Sequence, residues 1–207
     1  MRSQARFTLE HAKGSKFWPF IGQIAPDGSS VKLTKAVELI RTMRSDHVAF
    51  QDGTTRACKM IVWCDRPLSL HWMALAIRRE IPDLIMTVVT STSSGAQRSV
   101  LTEPFRRALH DTDPQDDPEV LLSSPALLGT GIDLVRANYM IFSGPLPSDQ
   151  ESQAVGRMDR EGNYCDKLHV YSLESRGNPI DGIISRRNHL RSDVLSLNIG
   201  LDEETVL

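Results

Sequence analysis

A glutamine and two arginines recur at regular spacing in the segment "ESQAVGRMDREGN", which covers residues 151–163. They are Gln153, Arg157 and Arg160, at positions i, i+4 and i+7. On an α-helix these three positions share one face. Arginine is permanently charged, and its planar guanidinium can bind phosphate oxygens through two parallel hydrogen bonds. This face could therefore hold a nucleotide phosphate, or neutralise charge that develops during phosphoryl transfer.

The flanking residues predict where this helix begins and ends. Ser148 and Glu151 have the spacing of a capping box, which places the helix start at Asp149. Gly162 suits the position just beyond the helix end. Short patterns of this kind also occur by chance. The alternative is a solvated helix face on which the two arginines pair with acids close in sequence: Glu151, Asp159 or Glu161.

A glycine-rich segment lies upstream of the arginines. "SSPALLGTGIDL", residues 123–134, follows an apolar run and contains Gly129 and Gly131, which let the backbone approach a ligand closely. It is not a phosphate-binding P-loop, because Gly-Lys-Ser/Thr occurs nowhere in the chain, and it lacks the third glycine of a dinucleotide fingerprint. Taken alone, the segment is a weak signal, and an ordinary strand–helix turn is the favoured interpretation.

Short apolar runs alternate with amphipathic segments along the chain. The runs "KMIVWC", "LIMTVVT", "EVLLSS", "YMIFSG" and "LHVYSL" predict five buried strands. Helices are predicted from Val31, from Ser69 as N-cap, through a kink at Pro104, from Asp149, and in "NPIDGIISRRNHLRSDVL". This alternation predicts an α/β fold, a mostly parallel sheet with helices on both faces. Ligands of such sheets bind at the carboxyl ends of the strands, so the turns after the third and fourth strands are expected to be functional.

Composition sets limits on these possibilities. The chain has 207 residues, of which 40% are hydrophobic and 24% charged, and its net charge of −2 argues against a polybasic nucleic-acid binder. Three cysteines without a Cys-x-x-Cys pair, and scattered histidines, predict a reducing intracellular compartment and no structural metal. No apolar run approaches the roughly 18 residues of a membrane span, so no membrane contact is expected.

Two motifs in order make the pattern specific. The first runs S-x-x-x-x-G-x-G-[hydrophobic]-[N/D]-L followed by A-N, and the chain matches it from Ser124 to Asn138 without a gap. The second runs Q-x-x-x-R-x-x-R-x-G-Q, and the chain matches it from Gln153 to Gly162, with Asn163 in the final place. Both are motifs of the C-terminal RecA-like lobe of superfamily 2 helicases, and the chain resembles the Swi/Snf-type DNA translocases among them.

Earlier and later segments resemble the same family in the same order. They are "SSVKLTKAVELI", "KMIVWCDRPLSLHWMALAI", "AQRSVLTEPFR" and "ESRGNPIDGIISRR". Two departures stand out: Ala126 replaces a lysine that is frequent in the family's loop, and "SGPLPSD" is one residue shorter than its counterpart and lacks the tryptophan. The resemblance covers roughly residues 30 to 195.

The resemblance implies the second motor lobe of an ATP-dependent DNA translocase of the chromatin-remodelling type. Arg157 and Arg160 would be catalytic arginine fingers that reach ATP and Mg²⁺ held by a first lobe. The residues implied to border the nucleotide are Gly129, Gly131, Asp133 and Gln153.

The resemblance also implies partners and a location. Ser124 and Arg98 would contact the DNA backbone, which proteins bind without reading sequence. The implied partners are an N-terminal RecA-like lobe, in the same chain or another, double-stranded DNA and chromatin, with a nuclear location.

The resemblance divides the chain into three parts. Residues 1–29, where aromatics mix with Pro and Gly and irregular structure is expected, would form an N-terminal arm or interlobe linker. Residues 30–175 would form the lobe, and residues 176–207 a brace helix and acidic tail. No Walker-type phosphate loop is present, so the isolated chain is not expected to hydrolyse ATP. The alternative is a catalytically inactive lobe that binds DNA or protein, and a Rossmann-type enzyme ranks last because Gly-x-Gly-x-x-Gly is absent.

Overall fold

The computed structural model describes residues 7–20, 30–49, 55–106, 118–127, 132–161, 163, 167–175 and 177–190. In chain order the elements are α1 (Leu9–Lys13), α2 (Val31–Arg44), β1 (His47–Ala49), β2 (Thr55–Ala57), β3 (Met60–Trp63), α3 (Pro67–Glu80), β4 (Met86–Val88), α4 (Gly95–Arg106), β5 (Val120–Ser123), β6 (Tyr139–Phe142), α5 (Ser148–Val155) and β7 (His169–Ser172). A last helix, α6, covers residues 179–190. No helix within these residues is both long enough and apolar enough to cross a membrane.

Five strands form one parallel sheet in the order β4-β5-β3-β6-β7. In this sheet Trp63 at the end of β3 lies beside Ser123 of β5 and Phe142 of β6, so the three central strands end level with one another. The five predicted strands are confirmed, with narrower bounds. The ribbon of β1 and β2, which pair antiparallel, was not predicted.

The central strands β3, β5 and β6 are buried at every position because both faces of the sheet are covered. In β3, Met60 and Val62 join one buried cluster, while Ile61 and Trp63 join the other. A strand buried on both faces has no polar alternation, and this explains why the strands were visible in the sequence as continuous apolar runs.

Helices cover the two faces of the sheet as predicted. One buried cluster includes Ala12 of α1, Ile40 of α2 and Ala74 of α3. The other includes Phe105 of α4 and Ala154 of α5. The predicted fold class, a mostly parallel α/β lobe with helices on both faces, is therefore confirmed.

The N-terminal segment is more ordered than the predicted irregular arm. Helix α1 begins after Thr8, whose Oγ1 accepts a hydrogen bond from the backbone N–H of His11 at 3.3 Å. Ala12 is fully buried, and the Phe17 ring packs against that of Trp72 with centroids 5.5 Å apart. The described residues 7–20 thus pack as part of the lobe, and the expectation of irregular structure is wrong for α1.

Two predicted helix starts are also wrong. Helix α3 begins at Pro67, two residues before the predicted cap Ser69. Helix α5 begins at Ser148 itself, so Pro147 and not Ser148 is the N-cap residue. The backbone N–H of Ser148 donates to Oδ1 of Asn188, 40 residues later, at 3.2 Å. A capping box describes only local partners, and here the acceptor comes from α6.

Two glycines near the C-terminal end of the described chain should respond in opposite ways to alanine. Gly177 has φ of +85°, so Gly177→Ala should lower the free energy of unfolding by about 1 kcal/mol, although no atom lies within 4 Å of the new Cβ. Gly182 lies in α6 with equally open space, so Gly182→Ala should raise the free energy of unfolding by roughly 0.5–1 kcal/mol. Urea unfolding measures both, and shifts of the same sign would contradict the assigned conformations.

A buried thiol should make stability depend on alkaline pH. Burial raises the pKa of Cys64 from 9.0 to about 12. The folded state favours the neutral thiol, so this stability is complete below pH 9 and is lost as the pH rises toward 12. In urea unfolding between pH 8 and pH 11, the native protein should lose stability more steeply than Cys64→Ala. Burial also raises the pKa of Tyr139 to about 12, but Tyr139 is present in both proteins and cancels. Equal slopes would contradict the prediction.

Candidate functional site

The carboxyl ends of β3, β5 and β6 surround a cavity of about 230 Å³. Each strand or its following element contributes to the wall: Trp63 ends β3, Ala126 belongs to the loop after β5, and α5 follows β6. Strands β4 and β5 lie on one side of β3, and β6 lies on the other side. The order in which the chain adds strands to the sheet therefore reverses at β3. Ligands of open α/β sheets bind at such places. The side chains that face the cavity from α5 and beyond are Gln150, Gln153 and Arg157.

The two arginines lie beyond the end of α5, not on it. The helix ends at Val155, and residues 156–160 form successive turns. Met158 is fully buried in the turn, and the carbonyl of Arg157 accepts the N–H of Leu134 at 2.8 Å. The expectation that Gln153, Arg157 and Arg160 share one helical face is therefore wrong. Gln153 and Arg157 still line one cavity, because the turn folds back towards the sheet.

Arg157 is buried, with 8% of its surface exposed, and holds the loop after β5. Its Nη1 donates to the carbonyl of Ile132 at 3.2 Å, in addition to the bond from Leu134 to its own carbonyl. Burial lowers the pKa of its guanidinium, and the neighbouring positive charge of Arg160 lowers it further, while Asp133 acts in the opposite direction. The group stays charged at any physiological pH because arginine has an ordinary pKa above 12.

Arg160 is half exposed and pairs with Asp133. Its Nη1 lies 3.0 Å from Asp133 Oδ1, and its Nε donates to the carbonyl of Gly156 at 2.9 Å. The Nη1 contact is an ion pair without the alignment of a hydrogen bond, since Oδ1 has no hydrogen-bond partner among the described residues. For Arg160 the suggested pairing with acids close in sequence is wrong, because the carboxylate comes from the loop after β5.

The charges of this cluster suit a phosphate ligand. Two guanidinium groups lie near one carboxylate, and the pKa of Arg157 is lowered first by burial and then by the positive charge of Arg160. An anionic oxygen beside them would offset the repulsion between these positive charges. Within the described ranges, no group of three or more His, Cys, Asp or Glu could hold a metal ion such as Mg²⁺. A phosphate of ATP thus fits the charges of Arg157 and Arg160.

The two predicted DNA contacts lie close together but are engaged within the protein. Arg98 donates from Nε to the carbonyl of Ser93 at 2.9 Å and from Nη1 to the carbonyl of Leu127 at 3.4 Å, which ties α4 to the loop after β5. Ser124 begins that loop and has only 6% of its surface exposed. Gly129 and Gly131 lie outside the described residues.

Several contributors to this site were not predicted. The backbone groups of Ile132 and Leu134 hydrogen-bond to Arg157. Almost any residue type can make a backbone hydrogen bond, so the sequence does not indicate these contacts. Trp63 and Gln150 line the cavity. Both were accessible to pattern reasoning: Trp63 ends a predicted central strand, and Gln150 lies three residues before Gln153 on the same helix face.

The sheet order, the two covered faces and the site at the carboxyl ends define a RecA-like α/β lobe. No protein-family model matches the chain, and neither does any curated protein. Among solved structures it is similar to the C-terminal part of the Fun30 ATPase domain, with a TM-score of 0.59 and 18% sequence identity over 75% of this chain. The match covers 44% of that other chain, so the protein spans less than half the length of the structure it matches. The resemblance to a Swi/Snf-type helicase lobe is thus confirmed as a likeness of fold.

Proposed function

We propose that this chain is the second motor lobe of an ATP-dependent DNA translocase of the Swi/Snf type. The observation that carries the proposal is the convergence of Gln153, Arg157, Arg160 and Asp133 at the carboxyl edge of the sheet. The likeness to part of an ATPase domain supports it. Double-stranded DNA, chromatin and a nuclear location are parts of the same proposal.

In this proposal the arginines supply positive charge to a nucleotide held mainly by a first lobe. Arg160 is the mobile finger, because its side chain is half exposed and held by one carboxylate and one backbone carbonyl. ATP supplies the transferable phosphoryl group when it is bound, and a guanidinium beside that group stabilises the charge of the transition state. Arg157 positions Arg160, since Arg157 is buried and its Nη1 donates to the carbonyl of Ile132 in the loop after β5. Gln153 borders the nucleotide from α5.

The loop after β5 provides the route by which DNA binding reaches the nucleotide. Arg98 holds Leu127 near one end of this loop, and Arg157 holds Ile132 near the other. A phosphate of the DNA backbone bound beside Ser124 and Arg98 would shift the loop and, through it, Asp133 and Arg160. DNA contact and nucleotide contact are therefore coupled through one segment.

The test is ATP hydrolysis with and without duplex DNA. It is measured for this chain alone, for a first lobe from the same gene alone, and for both together. The proposal expects turnover only in the mixture, increased by duplex DNA and reduced by added salt, since phosphate contacts weaken as salt rises. DNA binding by this chain with no turnover in the mixture would favour the alternative, a catalytically inactive binding lobe. Absence of both would overturn the proposal.

A further inference from the structure

A groove borders the outer edge of the sheet and shares no lining residue with the cavity beside the arginine cluster, which is Arg157 and Arg160 with Asp133. It has a volume of about 780 Å³ and is lined by the N-terminal segment, α3, β4 and α4. The adjoining strand β4 is the last in the sheet order and pairs only with β5 among the described strands. The apolar residues that matter here are Phe7, Leu70, Val88, Val100 and Leu101.

Most of the residues that line the groove are apolar. Its fourteen residues include no Lys, Arg, Asp or Glu, although 24% of the chain is charged. Val100 is 66% exposed on the side of α4 that borders the groove. A nucleic-acid backbone would find no cation here, and a charged peptide would lose hydration without gaining a partner. The complementary ligand is uncharged and apolar.

The backbone of β4 offers unpaired groups along the same groove. Ile85 and Val89 face β5: the carbonyl of Ile85 accepts the N–H of Glu119 at 2.8 Å, and the N–H of Val89 donates to Leu122 at 2.9 Å. The residues between them alternate, so Met86 and Val88 direct their backbone groups away from β5. Among the described residues, nothing hydrogen-bonds to these outward groups of Val88.

The outward carbonyl of Met86 already accepts a hydrogen bond within the protein. The backbone N–H of Phe7 donates to the carbonyl of Met86 at 3.3 Å, as an added strand would. The guanidinium of Arg78 holds the carbonyl of Phe7 in place. The groove continues this contact from Phe7 to Val88, two residues further along β4. The N-terminal segment therefore shows how a chain pairs with this edge, and no described residue occupies the next position.

We propose that this groove binds an extended, uncharged, apolar segment of a partner protein as an added strand on β4. Its backbone pairs with Val88, and its alternate side chains pack against Val100 and Leu101 of α4. Strand addition takes affinity from backbone hydrogen bonds and specificity from pockets for alternate side chains. This partner site is separate from the arginine cluster and does not depend on the proposed motor function.

The test begins with a phage-displayed library of random twelve-residue peptides, selected on the full 207-residue chain. Selected sequences should be apolar at alternate positions and poor in charged residues. A fluorescein-labelled selected peptide should bind Val100→Glu at least tenfold more weakly than the native chain. The matched control is Val31→Glu, a helical valine with the same 66% exposure outside the groove, which should stay within twofold of the native affinity.

Two further measurements distinguish strand addition from nonspecific hydrophobic binding. Methylating alternate backbone nitrogens of the peptide should abolish binding, and the unmethylated peptide should slow amide hydrogen exchange at Val88. Peptides rich in charge, or equal losses in the two valine variants, would overturn the proposal. So would a dimer of the native chain in sedimentation that Val100→Glu abolishes while no peptide binds, because the occupant would then be a second copy.

Discussion

Arg160→Ala should reduce DNA-stimulated ATP hydrolysis by about 1,000-fold or more when the chain is assayed with its first lobe, as expected for loss of an arginine finger. The reason lies in its position: Arg160 is half exposed and pairs through Nη1 with Asp133, while its Nε donates to the carbonyl of Gly156, so Nη1 can exchange the carboxylate for a phosphate oxygen. Because the charge acts mainly in the transition state, kcat should fall much more than nucleotide affinity. Steady-state kinetics with and without duplex DNA measures this.

A matched control is available within the chain. Arg41 has 50% of its side chain exposed and pairs with Glu80 at 3.0 Å, compared with 51% and 3.0 Å for Arg160 and Asp133. It lies on α2 near the amino end of the sheet, where Glu80 precedes β4. Arg41→Ala should leave turnover within twofold of the native rate. If the two variants lose activity equally, or neither does, the arginine cluster is structural.

Arg78→Ala should lower the free energy of unfolding by about 3 kcal/mol, because it removes a buried guanidinium that donates to three carbonyls, among them the buried carbonyl of Leu84. Arg78 is 6% exposed, and its Nη1 donates to the carbonyls of Pro82 at 2.9 Å and Leu84 at 2.8 Å, while its Nη2 donates to that of Phe7. Burial lowers the pKa of this guanidinium, although Asp83 favours its charged form. Urea unfolding measures the loss.

The neighbouring Arg79 provides the control for that substitution. Its side chain is 37% exposed, and its Nε lies 3.8 Å from Glu80 Oε1, a loose surface pair. Exposed pairs of this kind contribute about 0–1 kcal/mol, so Arg79→Ala should change stability by less than roughly 0.5 kcal/mol. Similar losses in the two variants would mean that Arg78 acts through helix propensity or general charge, not through the carbonyls it holds.

The sequence predicted those elements whose burial determines the spacing of their apolar residues. Strand β3 is apolar at all four positions because helices cover both faces, and the parallel sheet followed from such runs. Helix α2 begins at Val31 as predicted, with apolar residues at helical spacing on its buried side. Periodicity and motif order were thus sufficient for the fold class, and the candidate cavity lies at the carboxyl edge to which they pointed.

Predictions failed where a distant residue replaced a local partner. Asn188 takes the N–H of Ser148 that a capping box would have left to the side chain of Glu151. Leu134 takes the carbonyl of Arg157 that another helical turn would have used. Such contacts join segments tens of residues apart, and no short pattern encodes them. The same limit hid the ion pair between Arg160 and Asp133.

The order of strands also has a consequence for synthesis of the protein. Central strand β3 is made early, yet Met60 pairs with Val120 and Tyr139, the nearer of them sixty residues later along the chain. At about 5–20 residues per second, a ribosome needs roughly 3 to 12 seconds to reach β5, and during that time β3 is an unpaired apolar segment. The emerging chain should therefore depend on chaperone protection until β5 and β6 have left the ribosome.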